Sequence, residues 1–247
     1  MSTRWTIESH DIVTSTMDLA LDRARAGGPD GLVVVAAEQT SGRGRRGNRW
    51  ESPRGGLWFS VVIGPGDAAA PELMVAASLA SAAACSMVTG INVQVKWPND
   101  LYVADAKVGG VMGETAGDAV VLGIGINANV TEEFIPSVEY YRVTSLSIEA
   151  RATVELPALL DGFLVELESR VAALAGGGLR ALLPEWRSRS AELGRGVIAF
   201  RGGERLAGTA KEIREDGGLV VDVGGKSVIL LPHGDVSLGL SSGAEQA

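Results

Sequence analysis

The sequence predicts an α+β fold: a mixed, largely antiparallel sheet with flanking helices, followed by a small β barrel of SH3-like size. Three observations carry this. Apolar strands and amphipathic helices are mixed without the regular alternation of a doubly wound sheet. Several strands in the middle of the chain follow one another across tight turns, which implies antiparallel hairpins. From about Leu193 the pattern changes to short strands separated by glycine pairs, as in small β barrels. The expected division is residues 1–190 for the larger domain and 191–247 for the barrel.

In chain order, Ile7 to Val13 reads as a short strand. Ser15-Thr16-Met17-Asp18 then offers hydroxyl caps and an early carboxylate, a helix start. Met17, Ala20, Leu21 and Ala24 repeat at helical spacing and define one apolar face. Gly27-Gly28-Pro29-Asp30-Gly31 stops that helix ahead of a strand from Leu32 to Ala37. A long exposed loop is expected from Gly42 to Gly56, and then a strand from Leu57 to Ile63. Pro71 to about Val88 is an alanine-rich helix with proline in its tolerant first turn. Strands follow at Gln94 to Lys96, Asp100 to Val103, Lys107 to Thr115 and Ala119 to Ile126. Leu156, Leu159, Leu160, Phe163, Leu164, Leu167 and Val171 mark an amphipathic helix over Glu155 to Leu174, and a shorter helix runs from Leu179 to about Arg189. The barrel strands are Gly196 to Phe200, Arg205 to Ile213, Leu219 to Val223 and Lys226 to Leu231.

At 247 residues the chain can bury a full core, and 46 % hydrophobic with 21 % charged residues is ordinary for a globular protein. No unbroken run of about 18 apolar residues suggests a membrane span. Met1 to His10 has neither the basic start nor the apolar centre of a signal peptide. The lone cysteine, Cys85, excludes an internal disulfide and sits on an expected buried helix face, in keeping with a reducing cytoplasm. A net charge of −8 argues against general nucleic-acid binding.

Against that acidic background, Gly42-Arg43-Gly44-Arg45-Arg46-Gly47 stands out, with Arg49 two residues on. Its spacing is that of a dinucleotide-binding glycine string, which should end a strand and open a helix. The strand is present, but the helix is not. Forked arginine donors on a glycine-rich loop suit an anionic small molecule that has to be enclosed. A second constellation is Lys96-Trp97-Pro98-Asn99-Asp100-Leu101-Tyr102 with Lys107-Val108-Gly109-Gly110. The 22 basic residues comprise 18 arginines and only four lysines, and two of those lysines are here. Taken alone, Lys107 reads first as an exposed hairpin residue. The third stretch, Gly123-Ile124-Gly125-Ile126-Asn127-Ala128-Asn129, reads equally as a thinned strand packed on a helix or as a pocket wall. Its asparagines suit an adenine or ribose edge. No P-loop is present, the two histidines (His10 and His233) lack metal-ligand spacing, and no residue has a convincing nucleophile setting. No metal-ligating set is assigned. Any chemistry here works by positioning and by stabilising negative charge.

In combination, Ser15-Thr16, Gln39, the glycine–arginine string, Lys96-Trp97-Pro98-Asn99-Asp100, Lys107 with Gly109-Gly110, and Gly123-Ile124-Gly125-Ile126-Asn127 resemble the biotin protein ligases over nearly the whole chain. The resemblance implies a class II synthetase-like catalytic domain. It also implies a two-step reaction, in which biotin and MgATP give biotinyl-5′-adenylate and the biotinyl group then passes to a lysine of a biotin carboxyl carrier domain. By that likeness Ser15, Thr16, Gln39, Gly42, Arg43, Gly44, Arg45, Lys107, Gly109 and Gly110 serve biotin. Arg45, Arg46, Asn99, Asp100, Lys107 and Asn127 serve ATP and the adenylate, Arg45 and Lys107 being catalytic. Asp100 organises Lys107 or a magnesium ion (Mg2+). The family usually has Asn where this chain has Met17, which is expected to pack on the helix face. Few residues precede the first strand, so the type without an N-terminal DNA-binding domain is expected: a cytoplasmic enzyme with no DNA or membrane partner. An exposed sheet edge would dock the carrier and can also support a homodimer. The rival readings are a lipoate ligase, similar in fold and chemistry, and a non-catalytic module that sequesters biotin.

Overall fold

The computed structural model describes residues 5–66, 68–135, 141–201, 204–231 and 236–240. His233 and the end of the expected barrel domain, 241–247, lie outside the described residues.

The larger sheet has nine strands. Its main path runs β1 (Thr6–Val13), β2 (Leu32–Arg43), β4 (Leu57–Ile63), β8 (Ala119–Ile126), β7 (Ala106–Ala116), β6 (Asp100–Val103) and β5 (Gln94–Lys96). Off this path, β3 (Arg49–Ser52) pairs with β2 and β9 (Arg142–Val143) with β7. Only the β1–β2 and β7–β9 pairs are parallel, among the described residues. The mixed, largely antiparallel sheet expected from the hairpin spacing is therefore observed.

Successive strand residues point to opposite faces. Val33, Val61 and Leu122 join one core cluster, while their neighbours Val34, Val62 and Val121 join another. Because both faces are covered, these strands read as continuous apolar runs rather than alternating ones. α1 (Thr16–Arg25) covers one face and starts as its sequence dictates. The Ser15 hydroxyl accepts from the Asp18 N–H at 3.3 Å, and Met17, Ala20 and Leu21 turn inward. α2 (Ala70–Thr89) and α4 (Leu156–Gly177) cover the other face, where Phe163 meets Phe59 edge-on with ring centres 4.8 Å apart. By length and composition α2 could cross a membrane, but 67 % of its most apolar stretch is buried inside the protein. Its apolarity serves the core. α3 (Leu146–Ala150) and α5 (Leu183–Arg189) are short.

The C-terminal part is a five-stranded antiparallel sheet, in the order β13 (Lys226–Leu230), β12 (Leu219–Val223), β11 (Glu204–Ile213), β10 (Gly196–Arg201), β14 (Val236–Leu240). Val197, Ala199, Ile213 and Val221 belong to the same core cluster as Phe59 and Phe163. The apolar face of this sheet is thus packed into the body of the protein.

The largest departure from the sequence reading concerns the arginine stretch. The expected loop from Gly42 to Gly56 is in large part a hairpin. β2 runs on through Gly42 and Arg43, and β3 returns antiparallel to it, with Gly42 opposite Trp50 and Arg43 opposite Arg49. Arg46 (φ 61°) and Gly47 (φ 74°) supply the consecutive left-handed residues of its tip. A Cβ on Gly42 would fall 2.5 Å from both the Ser52 hydroxyl and the Trp50 carbonyl, so only glycine lets the two strands close. β9, α3 and β14 were also not anticipated.

Candidate active site

The hairpin lies over one end of the sheet and roofs a cavity of about 790 Å³, within the range of small-molecule sites. Glycines make room for it. A Cβ at Gly125 on β8 would come 2.7 Å from Trp50 Nε1, and one at Gly110 on β7 would come 3.6 Å from the same indole. Trp50, on β3, is therefore laid across the bare backbone of two strands and forms an apolar wall. Its Nε1 is buried and lacks a hydrogen-bond partner among the described residues.

One end of the cavity is polar and already ordered. The Thr16 N–H and hydroxyl both donate to Gln39 Oε1 (2.8 and 3.1 Å), the Thr16 and Ser60 hydroxyls are 2.9 Å apart, and Gln39 Nε2 donates to Ser52. Met17 and Met112 also line the cavity, and their side chains converge on Gly123. Met17 is buried, as expected of a packing residue.

The other end concentrates charge. Lys107 Nζ pairs with Asp100 Oδ1 at 2.8 Å and lies 5.2 Å from the centre of the Trp50 ring. Arg45 donates from the hairpin to Asn99 Oδ1, and Asn99 Nδ2 donates to the Val111 carbonyl at 2.7 Å. Burial, and then the neighbouring Arg46, pull the Arg45 pKa below its usual value. Lys96, to which the sequence reading gives no role, is buried with its Nζ 2.9 Å from the Tyr102 hydroxyl. Burial lowers its pKa too. Behind it, Glu192 is fully buried, and desolvation pushes its carboxyl up to about 7.

Of the residues expected to serve substrates, the cavity is lined by Thr16, Gln39, Arg43, Gly44, Arg45, Arg46, Asn99, Asp100, Lys107 and Gly110. Four others are placed elsewhere. Ser15 is buried as the cap of α1. Gly42 is consumed by the hairpin crossing. Gly109 faces the Gly125 carbonyl and Leu101, where a Cβ would meet atoms at 2.7 and 2.9 Å. Asn127 spends its side-chain amide on the Thr144 carbonyl at 3.0 Å and its backbone N–H on Val108, so it anchors a loop. Asn129 likewise exchanges two bonds with Val154. Arg43 lines the cavity but is held by Asp18 on α1 and Glu114 on β7, which tie the hairpin to the body. Trp50, Ser60, Met112 and Tyr141 also line the cavity and were missed, and Lys96, named in its motif but given no role, lines it too. Lys96 had a signal, since lysine is rare in this chain, but its burial is set by residues distant in sequence.

No group of three or more His, Cys, Asp or Glu is placed to hold a metal among the described residues. Asp100 is the single carboxylate among the described residues lining the cavity.

The chain matches the biotin/lipoate A/B protein ligase family over residues 10–130. It is 33 % identical to the biotin--[acetyl-CoA-carboxylase] ligase of Mycobacterium tuberculosis over 92 % of this chain and 87 % of that protein. It is 28 % identical to the bifunctional ligase/repressor BirA of Bacillus subtilis over 93 % of this chain and 73 % of that one. Among solved structures, a biotin protein ligase from Aquifex aeolicus in complex with biotin and ATP superposes with a TM-score of 0.83, at 26 % identity, over 96 % of this chain and 99 % of that one. With the likeness extending over both sheets and over the strands that form the cavity, the chain belongs to the biotin protein ligases of the biotin/lipoate A/B protein ligase family.

Proposed function

We propose that the protein condenses biotin with ATP to give biotinyl-5′-adenylate and pyrophosphate, and then transfers the biotinyl group to a lysine of a biotin carboxyl carrier domain. One observation carries the reading. The Lys107–Asp100 and Arg45–Asn99 pairs converge at one end of a single cavity whose other end is the preformed Thr16–Gln39–Ser60 network.

Each part has a task in that chemistry. The polar end suits the ureido group of biotin, and the Trp50 wall suits its apolar ring. Lys107 is positioned for the biotin carboxylate. That oxygen attacks the α-phosphorus of ATP, the bond to the β-phosphate breaks, and pyrophosphate leaves. Negative charge accumulates where Lys107 and Arg45 stand in a partly dry site, so their stabilisation is larger than in water. In the second step the carrier amine attacks the acyl carbon and AMP departs. The hairpin shields the mixed anhydride from water meanwhile. Magnesium enters with ATP as part of the substrate. Asp100 suits it, since Mg2+ takes one or two carboxylates beside phosphate oxygens, and the same carboxylate orients Lys107. The single thiol, Cys85, is buried with its pKa raised to about 12, which fits a structural role.

Incubation with biotin, MgATP and a carrier domain, followed by intact-mass measurement, is expected to add one biotinyl group to the carrier. ATP–pyrophosphate exchange that responds to lipoate and not to biotin would overturn the assignment. Tight biotin binding without labelling would instead support the sequestering module.

A further inference from the structure

Asn99 and Asp100 are held on one side by β7, where Asp100 pairs with Gly110 and the Val111 N–H donates to the Asn99 carbonyl, but the corner that leads into them is held from outside the sheet. Asn99 follows Trp97-Pro98 in the turn between β5 and β6, Asp100 opens β6, and β5 has only three residues at the sheet edge. The Trp97 N–H donates to Glu192 Oε1 at 3.1 Å, and the Trp97 indole Nε1 donates to the Gly217 carbonyl at 2.9 Å. Both acceptors come from the C-terminal part of the chain: Glu192 from the segment between α5 and β10, Gly217 from the turn between β11 and β12. That segment also lies along β5, where the Ala191 N–H donates to the Val95 carbonyl at 3.1 Å and Ser190 forms a parallel bridge to Val95.

Glu192 is an expensive residue for this place. It is fully buried, and its Oε2 lacks a hydrogen-bond partner among the described residues. Buried polar atoms of this kind are uncommon and call for a reason. Its other oxygen sits on a backbone N–H at the root of the turn. Trp97 is itself buried at 1 % exposure, held at its backbone N–H by one acceptor and at its indole by the other.

We propose that Glu192 is a positioning residue for adenylate formation. Together with the Gly217 carbonyl it clamps Trp97, and so sets Asn99 against Arg45 and Asp100 against Lys107. The C-terminal sheet is then a working part of the charged end of the site. The clamp rests on the ligase reading, and wild-type adenylation tests that reading separately.

The test compares Glu192→Gln, Glu192→Ala and Trp97→Phe by biotin-dependent ATP–pyrophosphate exchange, with thermal melts of each. Glutamine can still accept from the Trp97 N–H, whereas alanine cannot. Phenylalanine fills the indole slot without its donor. Displacing reacting groups by about 1 Å can cost on the order of a hundredfold in rate. Glu192→Ala is therefore expected to lower kcat by tenfold or more, a larger change than in the KM for biotin, to which the undisturbed Thr16–Gln39 end and the Trp50 wall also contribute. Glu192→Gln should restore most of the loss, and Trp97→Phe should fall in the same direction as Glu192→Ala. Wild-type kcat in Trp97→Phe, or equal losses in the Gln and Ala variants, would overturn the clamp. If Glu192→Ala does not fold, the Glu192→Gln and Trp97→Phe pair decides the matter. Wild-type protein that makes no adenylate refutes the ligase reading instead.

Discussion

Glu192 also makes the stability of the fold depend on pH. Burial raises its carboxyl from the usual 4.5 to about 7, the bond from the Trp97 N–H and the charge of Lys96 opposing part of that rise. The native state therefore holds this proton more tightly than the unfolded chain does. Its contribution to stability is fully present below about pH 4.5 and is lost as pH rises through 7. At about 1.36 kcal/mol per unit, a rise of about 2.5 units sets a ceiling of about 3 kcal/mol. That is a large share of the 5–15 kcal/mol typical of a domain. Burial shifts Lys96, whose charge acts on Glu192, the other way, so its own contribution to stability grows as pH rises. Urea unfolding of wild type and Glu192→Gln at pH 5, 6, 7 and 8 isolates the effect. The variant should gain on the wild type by about 2–3 kcal/mol between pH 5 and pH 8. A stability difference independent of pH would refute the reasoning, because it would mean that the buried carboxyl does not titrate in this range.

Three further outcomes follow from the packing and the charges. Gly125→Val places a side chain where Trp50 lies, 2.7 Å from its Nε1, so calorimetric titration should show biotin affinity falling about tenfold or more, near 1.4 kcal/mol. Lys107→Ala removes the cation paired with Asp100; adenylate formation should drop by about 10²–10³ with little change in Tm, and unchanged exchange activity would remove Lys107 from the mechanism. Phe163→Ala empties a fully buried site beside Phe59 and should cost about 3–5 kcal/mol in denaturant unfolding, with the m-value unchanged.

The charged end of the site illustrates how far the residues could be read without coordinates. Lys107 and Asp100 are seven positions apart, joined by a short hairpin turn, and it is the family resemblance that places both on the adenylate side, since Lys107 taken alone reads as an exposed hairpin residue. Arg45 and Asn99 were also named, but their contact spans 54 residues and depends on the hairpin folding over the sheet. Asn127 belongs to a motif as distinctive as the others, yet its amide is used by Thr144, a partner that no spacing rule identifies. Trp50 escaped notice because nothing local distinguishes an indole on an exposed loop from one laid across two glycines.

Elements whose energetics are local were legible in their own residues. Ser15 starts α1 because its hydroxyl meets a backbone N–H three residues on, and Pro71 opens α2 because a first turn needs no donor there. The apolar runs of β4 and β8 were legible because burial on both faces leaves no polar alternation. Tertiary structure alone decided which surfaces meet. The extension of β2 through Arg43 needed β3 as partner, the burial of Lys96 needed the surrounding chain, and the hold on Trp97 needed Glu192, 95 residues away. Hydrogen bonds and ion pairs gain most of their strength once water is excluded. Exclusion of water is a property of the packed whole, and no window of the sequence contains it.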